Sequence, residues 1–175
     1  MMVDQGLFEA LHNHIAALPT IDCHEHTYLA DARPRPVDLW TVLRNSDIGD
    51  DLISAGMPAA SRPSLNWEQA APYLPAVMNT GFYRSLLLAF QDLFDFQDQE
   101  LTASNWQSLS ERIQVANERP DWYAEVLHRR ADIRLILRVQ GDELDPYAVE
   151  RAFFAPLIIL PRTLAFPSPI RTNAR

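Results

Sequence analysis

No lysine occurs in the 175 residues; the 15 cationic side chains are all arginine. Against them stand 23 Asp+Glu, giving a formal net charge of −8 and a pI near 5.0. So acidic a chain repels phosphate backbones and anionic lipid, so neither nucleic acid nor a membrane surface is expected as its partner. Cysteine is almost absent too. Cys23 stands alone, which excludes an internal disulfide framework and points to a cytoplasmic location. Long apolar runs are missing: the longest, Phe153 to Leu160, is interrupted by Pro156 and falls far short of the roughly 20 residues a membrane-spanning helix needs. The first residues include Asp4 and Glu9 and no basic cluster, so a signal peptide is not expected. Acidic residues themselves run out. None lies between Arg151 and Arg175, a tail that holds four Arg and four Pro. What remains, 47% hydrophobic and 22% charged, is the composition of a folded globular chain long enough for one domain with a sizeable core.

Hydrophobic spacing gives the elements. Leu7, Phe8, Leu11, Ile15 and Leu18 lie on one helical face, ending before Pro19. Residues 19–24 form a short strand that runs into a loop. The text Ala32-Arg33-Pro34-Arg35-Pro36 is an extended connector, after which Asp38 caps a helix through Leu39, Trp40 and Leu43. Tyr73, Val77, Phe82, Leu86, Leu87, Phe90 and Leu93 continue the helical period with a break at Asn79-Thr80-Gly81, and Trp106, Leu109, Ile113 and Ala116 repeat it. Pro120 suits the first turn of a helix through Trp122, Tyr123, Val126 and Leu127. A second strand is expected at 133–139, where branched apolar residues stop at Gly141, and a third at 157–160. The first two strands are thus separated by about a hundred residues of helix, against the ~10–12 that a simple crossover needs. No repeat or low-complexity segment is present.

The chemistry concentrates in Ile21-Asp22-Cys23-His24-Glu25-His26. In a strand, alternation puts Asp22, His24 and His26 on one face and Cys23 and Glu25 on the other. Two imidazoles at i and i+2 on one face can reach a single metal ion, with a neighbouring aspartate orienting a ring N–H. His12 and His14 supply an internal control. They share the spacing, but on a helix two residues span about 200°, so the rings diverge.

A helix followed by an apolar strand ending in Asp-x-His-x-His resembles the first strand of the amidohydrolase superfamily. The segments Gly81-Phe82-Tyr83-Arg84-Ser85-Leu86, Leu101-Thr102-Ala103-Ser104-Asn105-Trp106 and Pro120-Asp121-Trp122-Tyr123 are similar to the helical insertion of its amidohydrolase-related, uronate-isomerase-like branch. The resemblance covers roughly residues 5–150. It implies an α/β fold: the N-terminal part of a TIM-like (β/α) barrel within residues 1–150, with a large helical insertion at about 38–130 between strands 1 and 2, and the site at the carboxyl ends of the strands. It implies a divalent metal, zinc first and manganese second, held by His24 and His26, with Asp22 in an orienting role. It implies hydrolysis of a small polar metabolite, with uronate-type aldose–ketose isomerisation as the alternative in a different reaction class. A non-catalytic helical interaction module is a third reading. The family's later machinery (a carbamylated Lys or carboxylate, two further His and a general-base Asp) cannot be placed in this sequence. A complete barrel takes about 250 residues, so the chain reads as the N-terminal portion of such an enzyme. The acid-free tail, 151–175, is what a truncation or a reading-frame change near residue 151 would leave, with a natural short form as the alternative. Exposed sheet edges in such a portion favour self-association into a homo-oligomer.

Smaller features have ordinary readings. Cys23 is expected as a small buried hydrophobe and Glu25 as a solvated or salt-bridged side chain. His128-Arg129-Arg130 is expected on a solvated helix face. Trp40, Trp67, Trp106 and Trp122 are expected in the core, and Gly141-Asp142-Glu143-Leu144-Asp145 as a solvated turn. Arg33 and Arg35 follow the histidine motif and are candidates to meet a substrate carboxylate by bidentate pairing.

Overall fold

The structure, a computed structural model, describes residues 4–25, 27–28, 33–139 and 154–157. It is a mostly helical α/β architecture in which two parallel strands flank a long helical segment. The chain divides into two compact units, one of residues 32–129 and one combining 1–31 with 130–175.

The strand unit begins with α1 (Gln5–Ala16), started by Asp4, whose carboxylate accepts from the amides of Gly6 and Leu7 at 3.0 and 3.2 Å. The strands β1 (Thr20–Glu25), β2 (Ile133–Val139) and β3 (Phe154–Leu157) form a parallel sheet in the order β1-β2-β3. β2 occupies the expected residues. β1 is displaced by one residue, because Pro19 has no N–H to give a ladder and the first amide, Thr20 N, donates instead to Asp132 O at 3.1 Å. The third strand falls at Phe154–Leu157, four residues where 157–160 was expected; positions 158–160 lie outside the described residues. Pro156 sits within it opposite Arg138, a position open to proline because β3 is an outer strand of the described sheet. Ile136 at the centre of β2 is 1% exposed.

The helical unit contains α2 (Leu39–Asn45), α3 (Asp47–Ser54), a 3₁₀ segment (Ala59–Ser64), α4 (Trp67–Ala70), α5 (Leu74–Val77), α6 (Gly81–Phe94), α7 (Trp106–Glu118) and α8 (Trp122–Ala124), the last running into a π-helical turn (Glu125–Arg130). Asp38 caps α2 as expected: its Oδ1 accepts from Thr41 N at 2.7 Å and from Thr41 Oγ1 at 2.6 Å. Thr80 caps α6 at the expected break, accepting from Tyr83 N at 3.3 Å. Leu39, Leu43, Ile48, Leu52, Phe96, Leu109 and Ile113 are each at most 1% exposed, and burying each contributes roughly 1.5–3 kcal/mol. Trp40 belongs to this core, Trp67 and Trp106 pack against it, and Trp122 is buried beside Phe94. Trp106 lies 5.2 Å from Trp40 and 6.3 Å from Trp67, while Trp122 meets Phe94 at 5.6 Å.

One expectation needs correction here. Pro120 does not open a long helix: Asp121 is the N-cap of a three-residue α8, and the chain continues in wider turns to Arg130. The 46–66 stretch, which has weak periodicity, is ordered by Arg62. Its Nε donates to Arg44 O at 2.9 Å, its Nη2 to Ser46 O at 3.4 Å, and it pairs with Asp50. The free carbonyls at the end of α2 thereby find a donor. Gly49 makes room for this clamp, since a Cβ there would lie 2.7 Å from Arg62 Nε and 3.0 Å from Arg44 O.

Candidate functional site

β1 brings Asp22, Cys23, His24 and Glu25 to the carboxyl half of a strand in parallel pairing with β2. The pairing is irregular at the motif. Asp22 lies opposite Ile136 and Glu25 opposite Arg138, so three steps along β1 match two along β2. Such a bulge re-aims side chains and breaks strict alternation. The simple two-face division expected for the motif therefore does not run through it. Asp22 and Glu25 are half-buried, and Cys23 is an exposed free thiol instead of the buried hydrophobe expected of it. Ile21, two residues earlier, is exposed too, so this side of the strand is left uncovered and the residue type of Cys23 does not decide its burial. His24 is placed by its backbone within β1, and His26 lies outside the described residues.

Just past the motif, Arg138 of β2 donates from Nε to Thr27 O at 2.6 Å. One arginine thus ties the chain leaving β1 to the neighbouring strand. Nothing in the motif itself announces this residue. Its signal is a half-buried cation set between Leu137 and Val139, where a charge is costly unless hydrogen-bonded, although Arg134 in the same strand is exposed.

The loop arginines part company. Arg33 belongs to the helical unit, where Nη2 donates to Asn117 O at 3.2 Å and Arg119 O at 3.0 Å, at the end of α7. Its guanidinium stands 5.7 Å from the centre of the Tyr123 ring. Burial lowers its pKa, the neighbouring Arg35 charge adds to that, and Tyr123 opposes it. Arg33 is thereby engaged with its own backbone as a C-terminal clamp on α7. Arg35 is exposed, one residue before Pro36. At the other side of the same corner, Arg119 holds Asp121 with two hydrogen bonds of 3.2 and 3.0 Å. That bond lowers the Asp121 pKa and raises that of Arg119. Arg129 joins Asp121 at 3.4 Å and Glu125 at 2.6 Å, which makes the expected solvated face at 128–130 a surface with ion pairs. The turn expected at Gly141-Asp142-Glu143-Leu144-Asp145 lies outside the described residues.

Among the described residues no group of three or more His, Cys, Asp or Glu side chains is placed to hold a metal ion, and no helix is long and apolar enough to cross a membrane. The sequence nevertheless supplies two imidazoles and one carboxylate within five residues, side chains of the types that ligate or orient ligands to a divalent metal. No family model and no curated protein matches the chain.

Proposed function

We propose that the chain carries the first strands and the helical segment of a metal-dependent hydrolase of the amidohydrolase type, acting on a small polar metabolite. The observation that carries this reading is the parallel pairing of β1 with β2 across a helical segment of about a hundred residues, with Asp22 and His24 in the carboxyl half of β1 and His26 following in the sequence. A parallel β1-β2-β3 order supports a TIM-like barrel, in which sites form at strand carboxyl ends.

In this reading His24 and His26 supply two neutral imidazole nitrogens to a divalent metal, zinc first and manganese second. Asp22 orients a ring through its other nitrogen. Arg138 holds the backbone at Thr27 and so fixes the exit of the strand. When bound, the metal supplies a water acidic enough to ionise near neutral pH. Catalytic zinc sites normally keep three protein ligands, so residues 1–175 by themselves are expected to bind metal weakly and to show little turnover. Uronate-type isomerisation is the second reading, favoured by the likeness of the 81–86, 101–106 and 120–123 segments to the uronate-isomerase-like branch.

The test is metal content by mass spectrometry after dialysis. Substoichiometric metal in the wild-type chain, lost in His24→Ala plus His26→Ala, is the expected result. Metal unchanged in that double variant would defeat the proposal. Assay of a longer homologous chain against uronates and against amide and lactone panels separates isomerase from hydrolase.

A further inference from the structure

The metal chemistry leaves α1 without a task, and among the described residues of the strand unit α1 carries the largest group of exposed apolar side chains. Leu7, Phe8, Leu11, Ile15 and, just beyond the helix, Leu18 are each between 50% and 65% exposed, and no residue of α1 is buried. At about 100° per residue these five side chains fall within one stripe, with His12 and His14 along its two borders and Glu9 on the far side. A stripe of this width normally faces a partner.

We propose that the partner is α1 of a second copy, packed antiparallel about Leu11. Charge favours that occupant. On a chain of net charge −8, this stripe is bordered by histidines, so two copies can meet there without acid facing acid. The only carboxylate near the stripe is Asp4, which is committed to the Gly6 and Leu7 amides. Antiparallel packing sets Asp4 of one copy toward the last turn of the other, where His14 sits. It also opposes the two helix dipoles and makes the contact self-complementary. A parallel pair would set Asp4 against Asp4 and like dipole ends together. One helix face is smaller than the roughly 800 Å² per partner of a standard interface, so the dimer forms and dissociates with concentration.

Sedimentation velocity of the full 175-residue chain over roughly 1–200 μM should show a monomer–dimer equilibrium. Leu11→Glu with Ile15→Glu should weaken it at least about tenfold, while Leu88→Glu, an equally exposed apolar site on α6, should leave it unchanged. All four tryptophans lie in the helical unit, so their fluorescence reports folding of that unit in each variant. Cross-linking in a Cys23→Ser background reads the orientation independently: Leu11→Cys should link to itself, and Leu7→Cys should link to Ile15→Cys in a mixture of the two. A monomer throughout, a dimer indifferent to the α1 charges, self-linking of Leu7→Cys in preference to Ile15→Cys, or a monomer that sediments with zwitterionic lipid vesicles would each overturn the proposal.

Discussion

The helical unit and the strand unit are built from similar proportions of apolar sequence, yet they bury it very differently. Seven large side chains of the helical unit are at most 1% exposed; in the described part of the strand unit only Ile136 is. The helical unit ties its ends with side chains reaching backbone carbonyls, Arg62 at the end of α2 and Arg33 at the end of α7. The strand unit holds the histidine motif on an irregular strand and leaves the stripe of α1 exposed. Stability is concentrated in one unit and the proposed chemistry in the other. That division suits a site, because polar ligands and a bulged strand cost stability that the site itself does not return.

Core truncation should separate the units most. Leu109→Ala, at 0% exposure in α7, should cost about 2–5 kcal/mol. Leu11→Ala in α1, measured at low micromolar concentration, should stay within about 0.5 kcal/mol. Urea denaturation followed by tryptophan fluorescence checks both. Equal losses would erase the comparison.

Gly49→Ala comes next. The new methyl group meets Arg62 Nε and the fixed carbonyl of Arg44, so the clamp between α2 and α3 must shift at a cost of about 1–3 kcal/mol. Arg62→Ala in the same background should then cost little more, because the two changes damage one contact.

Tyr83→Phe removes the hydroxyl that accepts from Leu101 N at 3.0 Å, leaving a buried amide unpaired at about 1–3 kcal/mol. Burial raises the Tyr83 pKa above the ordinary tyrosine value of 10.0. The folded state therefore favours the neutral phenol. Its contribution is complete below pH 10 and declines as the pH rises through the folded pKa. Alkaline denaturation should begin earlier in the wild type than its other tyrosines would dictate, and Tyr83→Phe should flatten that limb.

The smallest effect belongs to Asp121. Its pKa is lowered in the fold by the hydrogen bond from Arg119. The pair stabilises above the unfolded aspartate pKa and is lost as the pH falls through the folded one. Both side chains face solvent, where salt screens the pair. Asp121→Asn should leave the melting temperature at pH 7 nearly unchanged and remove only a slight acid dependence.

Much of the architecture was legible in the residues. The Asp38 cap, the break at Asn79-Thr80-Gly81, the helical period of α1, α6 and α7, and the whole of β2 follow from local chemistry that neighbours do not override. What was not legible depends on contacts distant in sequence. Arg62 and Arg33 order their segments by reaching carbonyls 18 and 84 residues away. The bulge in β1 arises from its register against β2, and the exposure of Cys23, like that of Ile21, depends on what covers that side of the strand and not on residue type. Pro120 offered a helix start, but the turn held by Arg119 and Asp121 moved the start to Trp122. Of the candidate site, the motif was visible in full. Arg138, which secures the chain at Thr27, was not, because its partner is 111 residues away.

The most direct test of the metal reading uses the chain's own two His-x-His pairs. Zinc is titrated by calorimetry into dialysed wild-type protein, into His24→Ala plus His26→Ala, and into His12→Ala plus His14→Ala. Binding should vanish in the strand variant and persist in the helix variant, where the two rings diverge. Binding that survives loss of His24 and His26, or disappears with His12 and His14, would contradict it.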